Sequence, residues 1–188
     1  MVTLIIGGSG SGKSEYAEDK VLELYHLEKE KMENGKLIYL ATMQSFDEES
    51  KLKIKRHQQM RSGKGFTTKE CFFDLQDITF SSQDTILLEC LSNLVANEMF
   101  RESRTQASVK ASILRGLEKV IDDSKHLVIV TNNIFDDGYQ YDEITKEYQK
   151  LLAEINQWIA KRAQLVVEIV CGMEQVIKGK ELYEKFIQ

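Results

Sequence analysis

One eight-residue run constrains this chain more than any other stretch: Gly7-Gly8-Ser9-Gly10-Ser11-Gly12-Lys13-Ser14. It fits Gly, four residues, Gly-Lys-Ser, the phosphate-binding loop pattern, and such a loop needs a strand leading in and a helix leading out. The flanking residues supply both. Residues 2–6 (VTLII) form an apolar run that reads as a buried strand, and helical spacing follows Ser14. Glycine lacks a Cβ, so successive backbone N–H groups can turn inward around an anion. The helix start adds free N–H groups and partial positive charge. Lys13 is then placed for the outer phosphates of a nucleotide, and the Ser14 hydroxyl for Mg²⁺. A Gly/Ser-rich connector without a ligand is the plain alternative, and the strand–loop–helix context argues against it.

A chain of 188 residues suits a single domain spanning 1–188 with a sizeable core. No long uninterrupted apolar span is present, so no membrane span is expected. The chain enters a strand at once, without a basic segment and signal-type apolar region, which points to the cytoplasm. A net charge of −5 argues against a general nucleic-acid binder. Cys71, Cys90 and Cys171 are far apart and odd in number, and suggest neither a metal-binding pair nor a disulfide framework. The chain has no Pro, so its turns rest on Gly, Asn, Asp and Ser.

Residues 14–31 read as a helix with a partial apolar face, ending in a solvated charge run from Glu28 to Lys31. His26 reads as a surface residue, and Asn34-Gly35 as a turn. Residues 36–41 read as a second strand. Strands alternating with helices imply a parallel sheet covered on both faces, with ligands beyond the carboxyl ends of the strands. Ala41-Thr42-Met43 lies at such an end, although Thr42 serves equally well as a turn cap.

Residues 47–61 read as a charged helix, acids early and bases late, in keeping with the helix dipole. On local pattern alone it is a solvated surface helix, and its His57 is unremarkable. Ser62-Gly63-Lys64-Gly65 breaks it, residues 66–70 suit a short edge strand, and residues 72–75 begin a packed segment. Residues 85–90 form a buried strand ending in an acid. An acid there, downstream of a phosphate loop, suits Mg²⁺ held directly or through water, which makes Glu89 a metal candidate beside Ser14. Helices are expected at 91–102 and 108–124, with a break around residues 101–104 between them. A strand is expected at 127–131, entered by a structural His126 and ending at Asn132-Asn133. Asp136-Asp137-Gly138 reads as loop, 141–162 as the longest helix, 165–170 as a closing strand and 178–188 as a short helix. The expectation is α/β: a three-layer P-loop NTPase-like domain with a mostly parallel sheet of about five core strands.

Several of these motifs line up together. Ile6-Gly7-Gly8, Ser11-Gly12-Lys13-Ser14, Ala17-Glu18, residues 38–42, Asp47-Glu48-Glu49, Lys53-Ile54, His57, Arg61, Thr68 and Glu70 come first. Glu89-Cys90-Leu91-Ser92, Asn97, Val130-Thr131-Asn132, Ile155-Asn156-Gln157, Ala160 and Ala163 follow. From Leu4 to about Gly179 the chain resembles the bifunctional adenosylcobinamide kinase and adenosylcobinamide-phosphate guanylyltransferase family of cobalamin assembly. The phosphate loop is common to many families, and its combination with the His57 register is far more specific. The resemblance implies two reactions. ATP or GTP phosphorylates the hydroxyl of the aminopropanol arm of adenosylcobinamide. GTP then gives GMP to an enzyme histidine, and the phosphorylated cobinamide takes it up, forming adenosylcobinamide-GDP.

His57 falls on the family's guanylylated histidine, with Lys13 as its catalytic partner on the phosphates. The implied nucleotide site comprises Gly7 through Ser14, Ala41, Thr42, Met43, Gln58, Gln59, Met60, Arg61, Glu70 and Glu89, with Ser14 and Glu89 toward Mg²⁺. A homo-oligomer, a trimer, is implied as well. The sequence departs from the family at Gly10, where Arg is frequent, at Leu94 in place of Trp, and at Glu89 where Asp is common. It also departs at Asn133, where an acid of the strand-end loop is lost, which bears on the cobinamide or metal contacts of that loop. The residues alone also allow a different small-molecule kinase, or a nucleotide-dependent regulatory module.

Overall fold

The computed structural model describes residues 1–28, 34–102, 104–135 and 140–187. The expected loop 136–138, the end of the charge run after Glu28, and Ser103 lie outside the described residues. The first elements are β1 (Val2–Gly7), α1 (Lys13–Glu28), β2 (Leu37–Ala41), α2 (Glu48–Met60) and β3 (Thr67–Glu70). A 3₁₀ turn (Leu75–Asp77) follows, then β4 (Thr85–Glu89), α3 (Leu91–Met99), α4 (Gln106–Asp122) and β5 (His126–Asn132). The chain continues with α5 (Glu143–Arg162), β6 (Leu165–Val170), β7 (Met173–Lys178) and α6 (Lys180–Ile187).

All seven strands join one sheet in the order β3-β2-β4-β5-β1-β6-β7. Six run parallel, and β7 pairs antiparallel with β6 at the edge. The alternation of side chains along each strand feeds two cores. Leu4, Ile38, Leu40, Ile86, Leu88, Leu127 and Ile129 pack under α3, α4 and α5. Ile5, Leu37, Tyr39, Leu87, Val128 and Val130 pack under α1 and, at the edge, α6. Both faces are apolar, so the central strands are apolar at every position rather than at every second one. Each fully buried Leu or Ile contributes about 1.5–3 kcal/mol. That is the three-layer arrangement expected from the sequence, with two strands beyond the five core strands.

The added strands sit at the two edges. β3 was legible as a short edge strand; β7 was not. Three of its six residues are polar or charged and it is largely exposed. An edge strand with one free side needs no apolar run. Its turn carries a signal all the same. Cys171 and Gly172 have φ of 52° and 78°, the two-residue hairpin geometry whose twist matches paired strands. Helix bounds shift by a few residues where caps decide them. α3 stops at Met99 rather than near 102. α4 begins at Gln106 behind a Thr105–Ser108 capping box, and α5 at Glu143 behind Asp142. Among the described residues no helix is long and apolar enough to cross a membrane.

Candidate active site

The carboxyl ends of β1, β2, β4 and β5 point to one rim of the sheet, and the phosphate loop bridges β1 to α1 there. Gly10 and Gly12 have φ of 72° and 92°, a region that L side chains rarely adopt, so these two positions require glycine. The loop is fastened at its base. Ser11 N–H donates to the Gly8 carbonyl (3.2 Å), Gly172 N–H to the Ser11 carbonyl (2.9 Å), and Asn133 N–H to the Gly7 carbonyl (2.9 Å). The β6–β7 turn thus braces the loop from behind. A Cβ at Gly7 would come within 2.7 Å of the Ile169 carbonyl, which explains glycine at the strand end. Lys13 opens α1 and its Nζ donates to the Gly8 carbonyl at 2.9 Å. Burial lowers the Lys13 pKa, while Cys90 and Glu89 pull it upward.

A cleft of about 620 Å³ opens in front of this loop. It is lined by Ser9 through Ser14, and also by Ala41, Met43, His57, Gln58, Met60, Arg61, Glu70 and Glu89. Those residues come from well-separated places in the sequence. Four others do something different. Gly7 and Gly8 shape the loop from beneath. Thr42 is fully buried, and its hydroxyl donates to the Cys90 carbonyl at 2.8 Å, so it ties β2 to the β4 exit rather than lining the cleft. Gln59 is exposed on the far side of α2 and does not line the cleft.

α2 forms the cleft's outer wall. Asp47 caps it, accepting from Ser50 N–H at 2.7 Å while the Ser50 hydroxyl accepts from Asp47 N–H at 3.0 Å. The helix buries no residue, so polar contacts hold it to the body. The Arg61 guanidinium lies 3.8 Å from the centre of the Tyr39 ring and is buried. His57 Nδ1 lies 3.6 Å from Glu89 Oε1. Tyr39 Oη donates to the other oxygen, Glu89 Oε2, at 3.3 Å. Burial, then the Glu89 charge, drives the Tyr39 pKa upward, so this phenol keeps its proton. Just past α2, Lys64 reaches Glu18 of α1 at 2.7 Å. Gly63 and Gly65, with φ of 81° each, make the turn that lets it do so.

Glu18, Lys64 and Tyr39 were not assigned to the site from sequence. A signal existed for Glu18: it lies four residues after Ser14, one helical turn along the same face. Burial raises its pKa, and the Lys64 contact opposes that. The acid missing at Asn133 also has a counterpart. Glu168 on β6 accepts from Asn133 Nδ2 at 3.1 Å, so a carboxylate from the neighbouring strand stands beside that position. Ser14 and Glu89 both line the cleft and offer the hydroxyl and carboxylate oxygens that Mg²⁺ prefers, so the donor set fits.

The model of the cobinamide kinase / cobinamide phosphate guanyltransferase family matches residues 3–177. The chain belongs to this family. It is 25% identical, over 95% of its own length and 100% of the relative's, to the bifunctional adenosylcobalamin biosynthesis protein CobU of Salmonella typhimurium. It is 23% identical over the same shares to the protein of that name from Escherichia coli. In this structure the phosphate loop and the His57 imidazole line one and the same cleft.

Proposed function

We propose that this chain phosphorylates adenosylcobinamide with ATP or GTP and transfers GMP from GTP, through His57, to the phosphorylated product. The observation that carries this reading is the position of His57: it lines the same cleft as the phosphate loop, with Nδ1 turned to Glu89. Nδ1 is buried, which leaves Nε2 as the nitrogen for the cleft. Neutral imidazole carries one N–H. With that proton on Nδ1, facing Glu89, the Nε2 lone pair is free to attack the α-phosphorus of GTP. The N–P bond forms as the bond to pyrophosphate breaks, and Glu89 takes the Nδ1 proton. Glu89 returns that proton to Nδ1 as a phosphate oxygen of the phosphorylated cobinamide displaces Nε2, which leaves as neutral imidazole. Lys13 and the loop amides hold the charge that develops on the transferred group. Mg²⁺, when bound, supplies further charge neutralisation on the phosphates, with Ser14 and Glu89 the residues to hold it. We assign the reactions to the cytoplasm and, by the resemblance, to a trimer, which light scattering reads.

The test is intact-mass spectrometry with peptide mapping after incubation with GTP and Mg²⁺. One GMP per chain on His57, acid-labile and comparatively base-stable, is the expected adduct. A GMP adduct on another residue, or transfer without any protein adduct, defeats the reading.

Glu89→Gln separates the two duties given to this carboxylate. The amide keeps the shape but loses the charge and cannot take a proton. The Mg²⁺ concentration at half-maximal rate is expected to rise in both reactions. Formation of the His57 adduct is expected to slow further, by about 10²-fold. An unchanged Mg²⁺ titration and adduct rate return Glu89 to a purely structural role.

A further inference from the structure

Beside the phosphate loop, side chains from three elements converge: Glu18 of α1, His57 of α2 and Glu89 at the end of β4. One ligand atom of each lies within 4.8 Å of the other two. The separation of His57 Nδ1 and Glu89 Oε1, 3.6 Å, exceeds a hydrogen bond. It is close to the roughly 3.4 Å edge of a tetrahedron built on metal–ligand bonds of about 2.0–2.2 Å. The polar inventory leaves gaps at the same place. Glu18 is fully buried. Its Oε2 holds Lys64, but its Oε1 accepts no hydrogen bond. His57 Nδ1 is buried and unpartnered too. Buried polar atoms left so are costly unless something else satisfies them. Charge points the same way: two buried carboxylates meet here, and Lys64 pairs with only one.

We propose that Glu18, His57 and Glu89 bind a divalent cation of the zinc class, and that the bound ion switches His57 off as a nucleophile. The donor set is one imidazole nitrogen and two carboxylate oxygens. Three protein ligands with an open position for water are the pattern of accessible zinc sites. Imidazole ligation also selects against Mg²⁺, which demands oxygen. The switching follows from proton balance. An ion on Nδ1 uses that lone pair, so the single N–H of the neutral ring resides on Nε2. The Nε2 electron pair is then part of the ring and cannot form the bond to phosphorus. Glu89 accepting Nδ1–H has the opposite effect. Ion and GMP therefore compete through the tautomer of one ring. The site stands on its geometry; its effect on GMP transfer rests on the role proposed above for His57.

Co²⁺ is the probe, titrated into metal-free protein without nucleotide and followed by its visible absorption. The band is expected to saturate at about one Co²⁺ per chain, to be displaced by Zn²⁺ and to survive excess Mg²⁺. His57→Ala should lose it, and Glu18→Gln should weaken it. Glu18 is buried and paired, so the Gln variant needs a circular dichroism check; His57 lines the cleft, and its variant decides the matter if the other fails to fold. Lys64→Met gives the sharper readout: removing the ammonium that competes for Glu18 should tighten Co²⁺ severalfold, which a merely structural Lys64 would not do. Saturating Zn²⁺ should block the GMP adduct, while cobinamide phosphorylation continues at a raised Mg²⁺ requirement because Glu89 is shared. Absence of a His57-dependent band in folded wild-type protein overturns the proposal, as does Lys64→Met binding no tighter. A GMP adduct that forms normally in protein unable to bind Co²⁺ sinks this inference alone. His57-dependent Co²⁺ binding without any adduct in metal-free protein upholds the site and sinks the guanylylation reading instead.

Discussion

His57→Ala is expected to abolish the protein–GMP adduct and to lower GMP transfer by at least about 10⁴-fold, the usual scale for removing a nucleophile. The size of the effect follows from the cleft's inventory. Cys90, also on its wall, is held as the neutral thiol by burial, which raises its pKa. Lys13 is committed to the phosphates, and Ser14 faces the same anion. The other two histidines are in the wrong places: His26 is exposed on α1, and His126 opens β5 at the opposite end of the strand from the cleft. Nothing else in the cleft presents a neutral nitrogen lone pair. Cobinamide phosphorylation should stay within about tenfold of wild type, because transfer to a hydroxyl needs no protein nucleophile. The split between the two reactions is the diagnostic, and parallel assays of both on one folded preparation measure it. Loss of both together would point to a collapsed α2 rather than a missing nucleophile. Full GMP transfer without His57 would end the covalent mechanism.

The fold was legible wherever burial on both sheet faces forces apolar runs, and harder to read where it does not. Residues 85–89 and 127–131 announce themselves because every side chain is covered from above or below. β7 is exposed at the sheet edge, so selection for apolar residues is absent and only the Cys171-Gly172 turn marks it. α2 shows the same limit from the side of function. It buries nothing, so periodicity can say only that it is a charged helix. What makes it part of the site is contact between its last turn and β2, β4 and the phosphate-loop helix, and such contacts leave no spacing in the sequence. The family register of His57 and Arg61 reached the same residues by another route. It could not reach Lys64, which reads as part of a helix-breaking turn until the fold brings Glu18 to within 2.7 Å of it. Thr42 shows the reverse: a polar residue at a strand end is as well explained by a backbone carbonyl as by a ligand, and here the carbonyl of Cys90 takes it.

Lys13→Ala is expected to cut both reactions by about 10²–10³-fold, the scale for removing one donor aimed at developing charge. Both reactions break a bond within the same triphosphate, at the γ-phosphorus in one and at the α-phosphorus in the other. A single ammonium at the start of α1 serves both leaving groups. Nζ donates to the Gly8 carbonyl at the edge of the loop, so it needs only a short swing to meet a phosphate. The variant should fold. Lys13 is buried and its pKa is lowered, with desolvation the largest cause; the native state therefore holds this charge at a cost. Removing it gives a melting temperature equal to or above that of wild type, the signature of a residue kept for function rather than stability. Steady-state rates of phosphorylation and of GMP transfer, read beside a thermal melt, check both halves of the expectation. An active Lys13→Ala enzyme would remove the phosphate loop from the chemistry. A Lys13→Ala chain that melts well below wild type would show that the ammonium–Gly8 contact holds the loop together.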